Sequence, residues 1–352
     1  MTDEVLVAHD VLKPFVAQMF EAAGMGQAHA NMAADVLCWA EFRGVESHGV
    51  ERIPRYLDLL ANGQMNAKAD IKVRDVAGAA FAIDADKASG LVAMTIAADE
   101  AERRAREFGV AMGLVNRTTH TGAIGYFADR AARRGFAAIV MAAGMPLMAY
   151  PGTRTPSIST SPLAIGVPGG PSGAMVLDMS TAIASNGRLK KALADKKPIP
   201  EGWALDEDGN PATDPAKATV SMPVGGAKGA GLSMMIEILA SVLGGSPITS
   251  VQAPVGAKRT HTANGLIIVI DISRFRDVTG FAGGVNDLVD VLKGLPRFAD
   301  AEPVRMPGER GAADYAVRMK NGTPLNARLR AALAARAKGL GVAVPQGFTP
   351  DA

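Results

Sequence analysis

The chain has 352 residues, 48% of them hydrophobic and 20% charged, with a formal net charge of +2 at pH 7. This length outgrows what one hydrophobic core usually serves, so two lobes or one elaborate domain with a large core are expected. Basic residues scattered among acids exclude the one-sided positive face that nucleic acid requires, and neither a nucleic-acid nor a membrane partner is expected.

The opening, Met1 to Asp10, mixes acids with apolar side chains and lacks the basic stretch, apolar core and cleavage site of a signal peptide. Export is not expected. Apolar residues at three- and four-residue spacing predict helices over His9–Ala23 and Ala28–Phe42. The second carries Cys38, the single cysteine of the chain, which suits a reducing cytoplasm and leaves no intramolecular disulfide. After Arg43-Gly44 a short helical segment runs to Leu60, on which His48, Arg52 and Tyr56 would share one face at i, i+4 and i+8. Strand-like runs at Ile71–Asp75 and Ala79–Ile83 predict a hairpin, Leu91–Phe108 a long helix, and Val110–Val115 a strand ending just before His120.

An α/β alternation follows, with a helix over Ala123–Arg134, a strand over Ala137–Ala142, a Pro/Gly-rich connection through Pro168 and a strand over Met175–Asp178. The uncharged run Gly135–Thr153 has the length of a membrane span, but Gly144, Pro146 and Pro151 would break a helix there, so it reads as a buried strand and a turn. Lys190–Ala218 is polar and turn-rich. The glycine-rich loop Gly225–Gly231 then enters an apolar helix reaching Leu243. The remainder predicts a strand over Leu266–Ile270, a helix over Val285–Lys293, a turn at Met306–Glu309, a closing helix from Asn326, and frayed residues from Gly347 to Ala352.

Five histidines occur in the whole chain, and two of them, His48 in Ser47-His48-Gly49 and His120 in Thr119-His120-Thr121-Gly122, sit among hydroxyls and glycine. Imidazole titrates near neutrality, so both are candidates for acid-base chemistry. Arg52 or Arg55 beside His48 would grip a carboxylate. On spacing alone each motif also reads as a helix cap or a histidine satisfied by backbone. Lys228 with Gly229 heads a helix, as an anion site would, yet the loop is no Walker A motif and also reads as a simple turn. No G-x-G-x-x-G exists, Asp178 reads as a ribose acceptor or a helix cap, and spacing favours neither metal binding nor a serine hydrolase.

Taken in order, several segments resemble the malate/L-lactate dehydrogenase superfamily of the second type, which includes ureidoglycolate, sulfolactate and diketogulonate enzymes and cyclic-imine reductases. They are Arg43-Gly44 with Ser47-His48-Gly49-Val50 and Arg52–Tyr56, Thr119–Gly122, Thr160–Ala164, Asp178-Met179, Ile199–Ala204, Thr213–Pro215, Gly225–Gly229 and Pro307-Gly308-Glu309. The resemblance covers His9 to Leu333. It implies an α/β fold with a mixed sheet, surrounding helices and a helical N-terminal lobe, binding NAD or NADP without a Rossmann fold. The implied division is an N-terminal lobe at 1–115, a cofactor-binding unit at 116–260 and a return to the first lobe at 261–352. It also implies a homodimer with the cofactor near the subunit interface.

Carried over residue by residue, the resemblance makes His120 and His48 the acid-base pair and sets Ser47, Arg52, Tyr56 and Thr160 at the substrate. Gly144, Asp178, Met179, Ser180, Lys228, Gly229, Pro307, Gly308 and Glu309 fall at the cofactor. Where relatives read Gly-Thr-Asn-Pro and Lys-Gly-Tyr-Gly, this chain has Ser159–Pro162 and Lys228–Gly231, and Met145 is apolar where relatives carry polar residues. Each departure reshapes the pocket. The expected reaction is hydride transfer at C2 of a small 2-hydroxy or 2-oxo acid, with His120 taking the proton. Rival expectations are NADPH-dependent reduction of a cyclic imine, cofactor-independent hydrolase or lyase chemistry on the same histidines, and a non-catalytic acid-binding protein.

Overall fold

A computed structural model describes residues 4–246 and 262–348. The boundary expected at 260/261, and the last four residues of the segment expected to fray, lie outside the described residues.

In chain order, β1 (Glu4–Val7) precedes α1 (His9–Ala22), α2 (Gln27–Phe42), two 3-10 turns (Glu46–His48 and Val50–Arg52) and α3 (Ile53–Ala61). A hairpin of β2 (Lys72–Ala77) and β3 (Ala80–Asp84) leads to α4 (Gly90–Phe108), β4 (Val110–Thr118), α5 (Gly125–Arg133) and β5 (Phe136–Ala143). Then come β6 (Met148–Ala149), β7 (Pro156–Ile158), β8 (Leu163–Pro168), β9 (Ala174–Met179) and α6 (Asn186–Ala194). They are followed by β10 (Ala204–Leu205), β11 (Pro211–Ala212), β12 (Val220–Ser221) and α7 (Ala227–Glu237), which continues as a π-helical turn, Ile238–Val242. The chain closes with β13 (Ala263–Asp271), α8 (Val278–Gly294), α9 (Glu309–Asn321), β14 (Thr323–Asn326) and α10 (Ala327–Gly339).

The main sheet has seven strands in the order β2-β3-β4-β13-β5-β8-β9. Only β3 and β4 run parallel; every other neighbouring pair is antiparallel. A doubly wound nucleotide fold needs parallel strands joined by βαβ turns, and the glycine fingerprint serves such a turn. An antiparallel sheet has no place for it. The sheet takes β2 and β3 from the first expected segment, β4 across the boundary expected at 115/116, β5, β8 and β9 from the second and β13 from the third, so the three divisions share one continuous sheet. A five-stranded sheet (β11-β10-β12-β6-β7) and a β1-β14 pair complete the strands of the described residues.

Strands β5 and β8 alternate buried and half-buried residues, the period of a sheet covered unequally on its two faces. One face, with Val140, Ala138 and Ala164, meets α4 and α5 in the large core around Leu91, Ala97 and Phe127. The other, with Met112, Leu266 and Ile268, packs against the π-helical turn at Leu239 and Ala240.

Three expectations change. The connection through Pro168 contains β6, β7 and β8, the first two being too short to carry a readable period. The polar stretch from Lys190 begins inside α6, which no apolar stripe announces, although Ser185 Oγ accepts from Arg188 N–H at 3.3 Å as a helix cap. The third is α9, of which no residue is buried; only the turn before it was legible.

Candidate active site

His120 follows β4, and its main chain is held against the start of α4. Thr118 Oγ1 and Thr119 Oγ1 donate to Ala88 O at 2.9 and 3.2 Å. A side chain on Gly90 would meet Thr119 O and His120 O at 2.5 and 2.6 Å, so glycine lets the first residue of α4 lie directly on this loop. The His120 ring is anchored through Nδ1, which lies 2.7 Å from Tyr56 Oη and accepts from Gly122 N–H at 3.2 Å. The His48 ring stacks on it, with centroids 5.5 Å apart.

The helix expected across His48, Arg52 and Tyr56 is interrupted. Gly49 lies in an extended conformation between two 3-10 turns, and α3 begins only at Ile53. His48 and Tyr56 nevertheless converge, because both touch His120. Ser47 Oγ lies 3.0 Å from His48 Nδ1, and Arg52 Nε donates to Ser47 O at 2.5 Å. Burial, reinforced by the Arg52 charge, drives the His48 pKa down to about 4, so the ring is neutral at neutral pH. Burial pushes the Tyr56 hydroxyl well above its usual value, and it remains protonated.

Beneath this motif lies Glu41, which sequence reasoning did not single out. It is 1% exposed, accepts Val50 N–H at 3.0 Å, and lies where any side chain on Gly49 would fall, 2.2 Å from Oε2. Burial raises its pKa from 4.5 to about 8, against the opposing pull of the Val50 hydrogen bond. The folded chain therefore keeps this proton after the unfolded chain has lost it. The associated stability is whole below pH 4.5 and is lost as pH rises through 8. Thermal unfolding followed from pH 5 to 9 is expected to show the wild-type midpoint falling relative to Glu41→Gln, and parallel curves would contradict the assignment.

A cleft of about 1390 Å³ opens beside the histidines, lined among others by Ser47, His48, Gly122, Asp178, Met179, Ser180 and Gly308. That exceeds the 300–1,000 Å³ usual for a small ligand and suits a dinucleotide together with an acid. Asp178 ends β9 and accepts Gly125 N–H at 3.0 Å, capping α5. Its carboxyl reaches solvent through the cleft mouth, yet the surrounding protein raises its pKa to about 6, opposed by that bond and by Arg43. Ser180 Oγ donates to Thr160 O at 3.1 Å, tying Thr160 to the cleft through its main chain. Glu309 accepts from Met306 N–H at 2.8 Å and from Lys293 Nζ at 2.5 Å, and Pro307 O receives Val176 N–H at 3.4 Å. These bonds hold Gly308 at the cleft wall.

Other expected residues are not brought together there. Lys228 is exposed at the start of α7, Gly229 is buried behind it, and Gly144 donates to Ser159 Oγ at 3.1 Å; none of the three lines the cleft, and neither do His120, Arg52, Tyr56, Thr160, Pro307 and Glu309, which lie behind or beside its wall. Residues that the motifs did not point to do line it: Trp39, Ile124 at the start of α5, Arg188 and Arg310. Ser185 capping α6 is the one local signal that marked the position of Arg188.

Comparison with known proteins gives a match to the malate/L-lactate dehydrogenase family model over residues 7–334. The chain is 30% identical over 328 residues to a malate/(S)-sulfolactate dehydrogenase of Methanothermus fervidus, covering 92% of this chain and 95% of that protein. It is 33% identical to the NAD(+) ureidoglycolate dehydrogenase of Escherichia coli, over 68% of this chain and 69% of that one. With the NADP(+) (2R)-3-sulfolactate dehydrogenase of Chromohalobacter salexigens it shares 32% identity, over 87% and 89%. Among solved structures, malate dehydrogenase from Entamoeba histolytica superposes with a TM-score of 0.90 at 25% identity, covering 97% of this chain and 99% of that one.

Proposed function

We propose, because the chain belongs to the malate/L-lactate dehydrogenase family, that it transfers hydride reversibly between NAD or NADP and C2 of a small 2-hydroxy or 2-oxo acid. The carrying observation is His48, lining a cleft walled by Asp178 and Gly308, with His120 stacked on it from behind. Bound nicotinamide supplies the hydride acceptor in oxidation and the donor in reduction. Asp178, Met179, Ser180 and Gly308 are the residues of the cleft that would hold the dinucleotide, with Lys228, Gly229, Gly144, Pro307 and Glu309 kept as further contacts by family resemblance.

The proton is assigned to His120, with Tyr56 as its anchor. The Tyr56 hydroxyl both donates and accepts, so Nδ1 keeps a partner whichever tautomer is present. With Nδ1 protonated, the opposite nitrogen is free to take the substrate hydroxyl proton; with Gly122 donating to Nδ1, that nitrogen carries the proton and polarises a carbonyl oxygen. Arg52, held by Ser47 O, offers its remaining guanidinium N–H groups to the substrate carboxylate. His48 packs against the proton carrier as a neutral ring, and Thr160 completes the substrate wall.

A homodimer in the cytoplasm is part of the same proposal. Leu288, Val291, Leu295 and Phe298 on and after α8, and Met235, Val242 and Leu243 along α7 and its π-helical turn, are large apolar side chains left exposed, as a subunit interface requires. Cys38 is a buried free thiol. No helix among the described residues is long and apolar enough to cross a membrane.

The test is a panel of malate, lactate, sulfolactate, ureidoglycolate and a cyclic imine, each offered with both cofactors and followed by nicotinamide absorbance. Turnover of at least one 2-hydroxy acid is expected. Turnover of the imine alone would shift the assignment to the imine reductases.

A further inference from the structure

The cleft carries more positive charge than a small acid needs. Seven of its lining side chains are basic and three, Glu46, Glu51 and Asp178, are acidic, a surplus of four. Partners outside the lining engage both signs: Asp178 accepts the Gly125 N–H and Glu46 pairs with Arg318 at 3.2 Å, while Lys191 pairs with Asp195 at 3.3 Å and Arg305 with Glu302 at 3.8 Å.

Arg43 is 7% exposed. Its guanidinium donates to Gly308 O at 2.9 Å and lies 4.8 Å from the centre of the Trp39 ring. Among the described residues no carboxylate lies within ion-pair distance of it, and although Asp129 and Asp178 attract it from farther off, burial still lowers its pKa, so an anion entering the cleft would offset the remaining desolvation. Two more arginines line the same cleft. Arg310 stands in the first turn of α9, beside Gly311, where an added Cβ would lie 3.2 Å from Arg43 Nε. Arg188 stands in the first turn of α6, beside Gly187, where an added Cβ would lie 2.8 Å from Ser47 Cβ. A cation in a first turn opposes the positive end of the helix dipole. Neither arginine forms an ion pair among the described residues, although Glu309 shares the first turn of α9 with Arg310.

We propose that Arg43, Arg188 and Arg310 form a phosphate-binding corner for the 2′-phosphate of NADP, making the 2′-phosphorylated dinucleotide the preferred cofactor. The inference rests on the nicotinamide-dependent function above. The reduced cofactors differ by one phosphomonoester, which adds about 1.5 to 2 negative charges to those of the diphosphate. The larger anion matches the surplus of four. Guanidinium forks suit it, because each reaches two phosphate oxygens at once.

Binding, rather than turnover, tests this. NADPH and NADH are titrated separately into the whole protein, following quenching of Trp39 in the cleft and, in parallel, heat of binding. NADPH is expected to bind about tenfold or more tightly than NADH at low salt, with the gap narrowing as salt rises. Arg188→Gln and Arg310→Gln, both at exposed positions, are each expected to weaken NADPH by about tenfold while leaving NADH within about twofold. Equal weakening of both nucleotides would put the arginines on the diphosphate and overturn the proposal. Wild-type protein that binds NADH as tightly as NADPH would overturn it too. Binding of neither nucleotide would overturn the dehydrogenase assignment itself, an outcome distinct from the other two.

Discussion

Replacing His120 with alanine is expected to lower kcat by about a hundredfold or more, the scale for losing a positioned general acid or base. The loop that carries it is also held by Thr118, Thr119 and Gly90, so the variant should still fold, with a thermal midpoint lowered by loss of the Gly122 and Tyr56 hydrogen bonds. Without the ring, the substrate oxygen must exchange its proton with water, and the charge that forms there in the transition state loses its partner. The Tyr56 hydroxyl would be left without the nitrogen it faces at 2.7 Å. The check is a comparison of kcat at saturating acid with the thermal midpoint of the same preparation. An unchanged kcat would transfer the proton to His48, despite a pKa near 4 that makes it a weak base.

The second large effect is expected at Arg52. Arg52→Ala should lower kcat/KM for the acid by about ten- to a hundredfold, most of it in KM, since a hydrogen bond between charged groups is worth about 1.5–3 kcal/mol. Losing the fork costs twice here. Its Nε–H also ties Ser47 O, so the peptide beside His48 is released, and the cation that helps depress the His48 pKa is gone. Arg52→Lys keeps the charge and removes the planar fork, so it should recover little of the affinity. Steady-state kinetics of the three proteins decide the point: unchanged KM in both variants would remove Arg52 from the substrate.

Much of this was legible because local sequence and tertiary role agree. The stripes of α1, α2 and α4 are the faces that enter the core. The alternation of β5 follows from its place inside the sheet. The elements that escaped, α6 and α9, lie on the surface and bury no stripe, so periodicity had nothing to report. The shared helical face of His48 and Tyr56 failed for a different reason. Gly49 breaks the turn, and it does so because buried Glu41 occupies the space beside it, a contact set by packing rather than by the spacing of the motif. His48 and His120 were legible singly. Their stacking depends on β4 and α4 bringing Thr119–His120 against His48 and Tyr56, and no residue near either histidine encodes that approach. The charge of the cleft was hidden for a related reason: Arg43, Arg188 and Arg310 lie on three separate elements, each unremarkable in its own window.

The most direct measurement of the central claim follows the hydrogen itself. Each acid of the panel is offered with deuterium at C2 and the reduced nicotinamide is weighed by mass spectrometry. Deuterium recovered on the nicotinamide ring, in one-to-one amount with oxo acid formed, is the predicted result. Oxidation that leaves the deuterium in water, or turnover that proceeds without a nicotinamide, would contradict it.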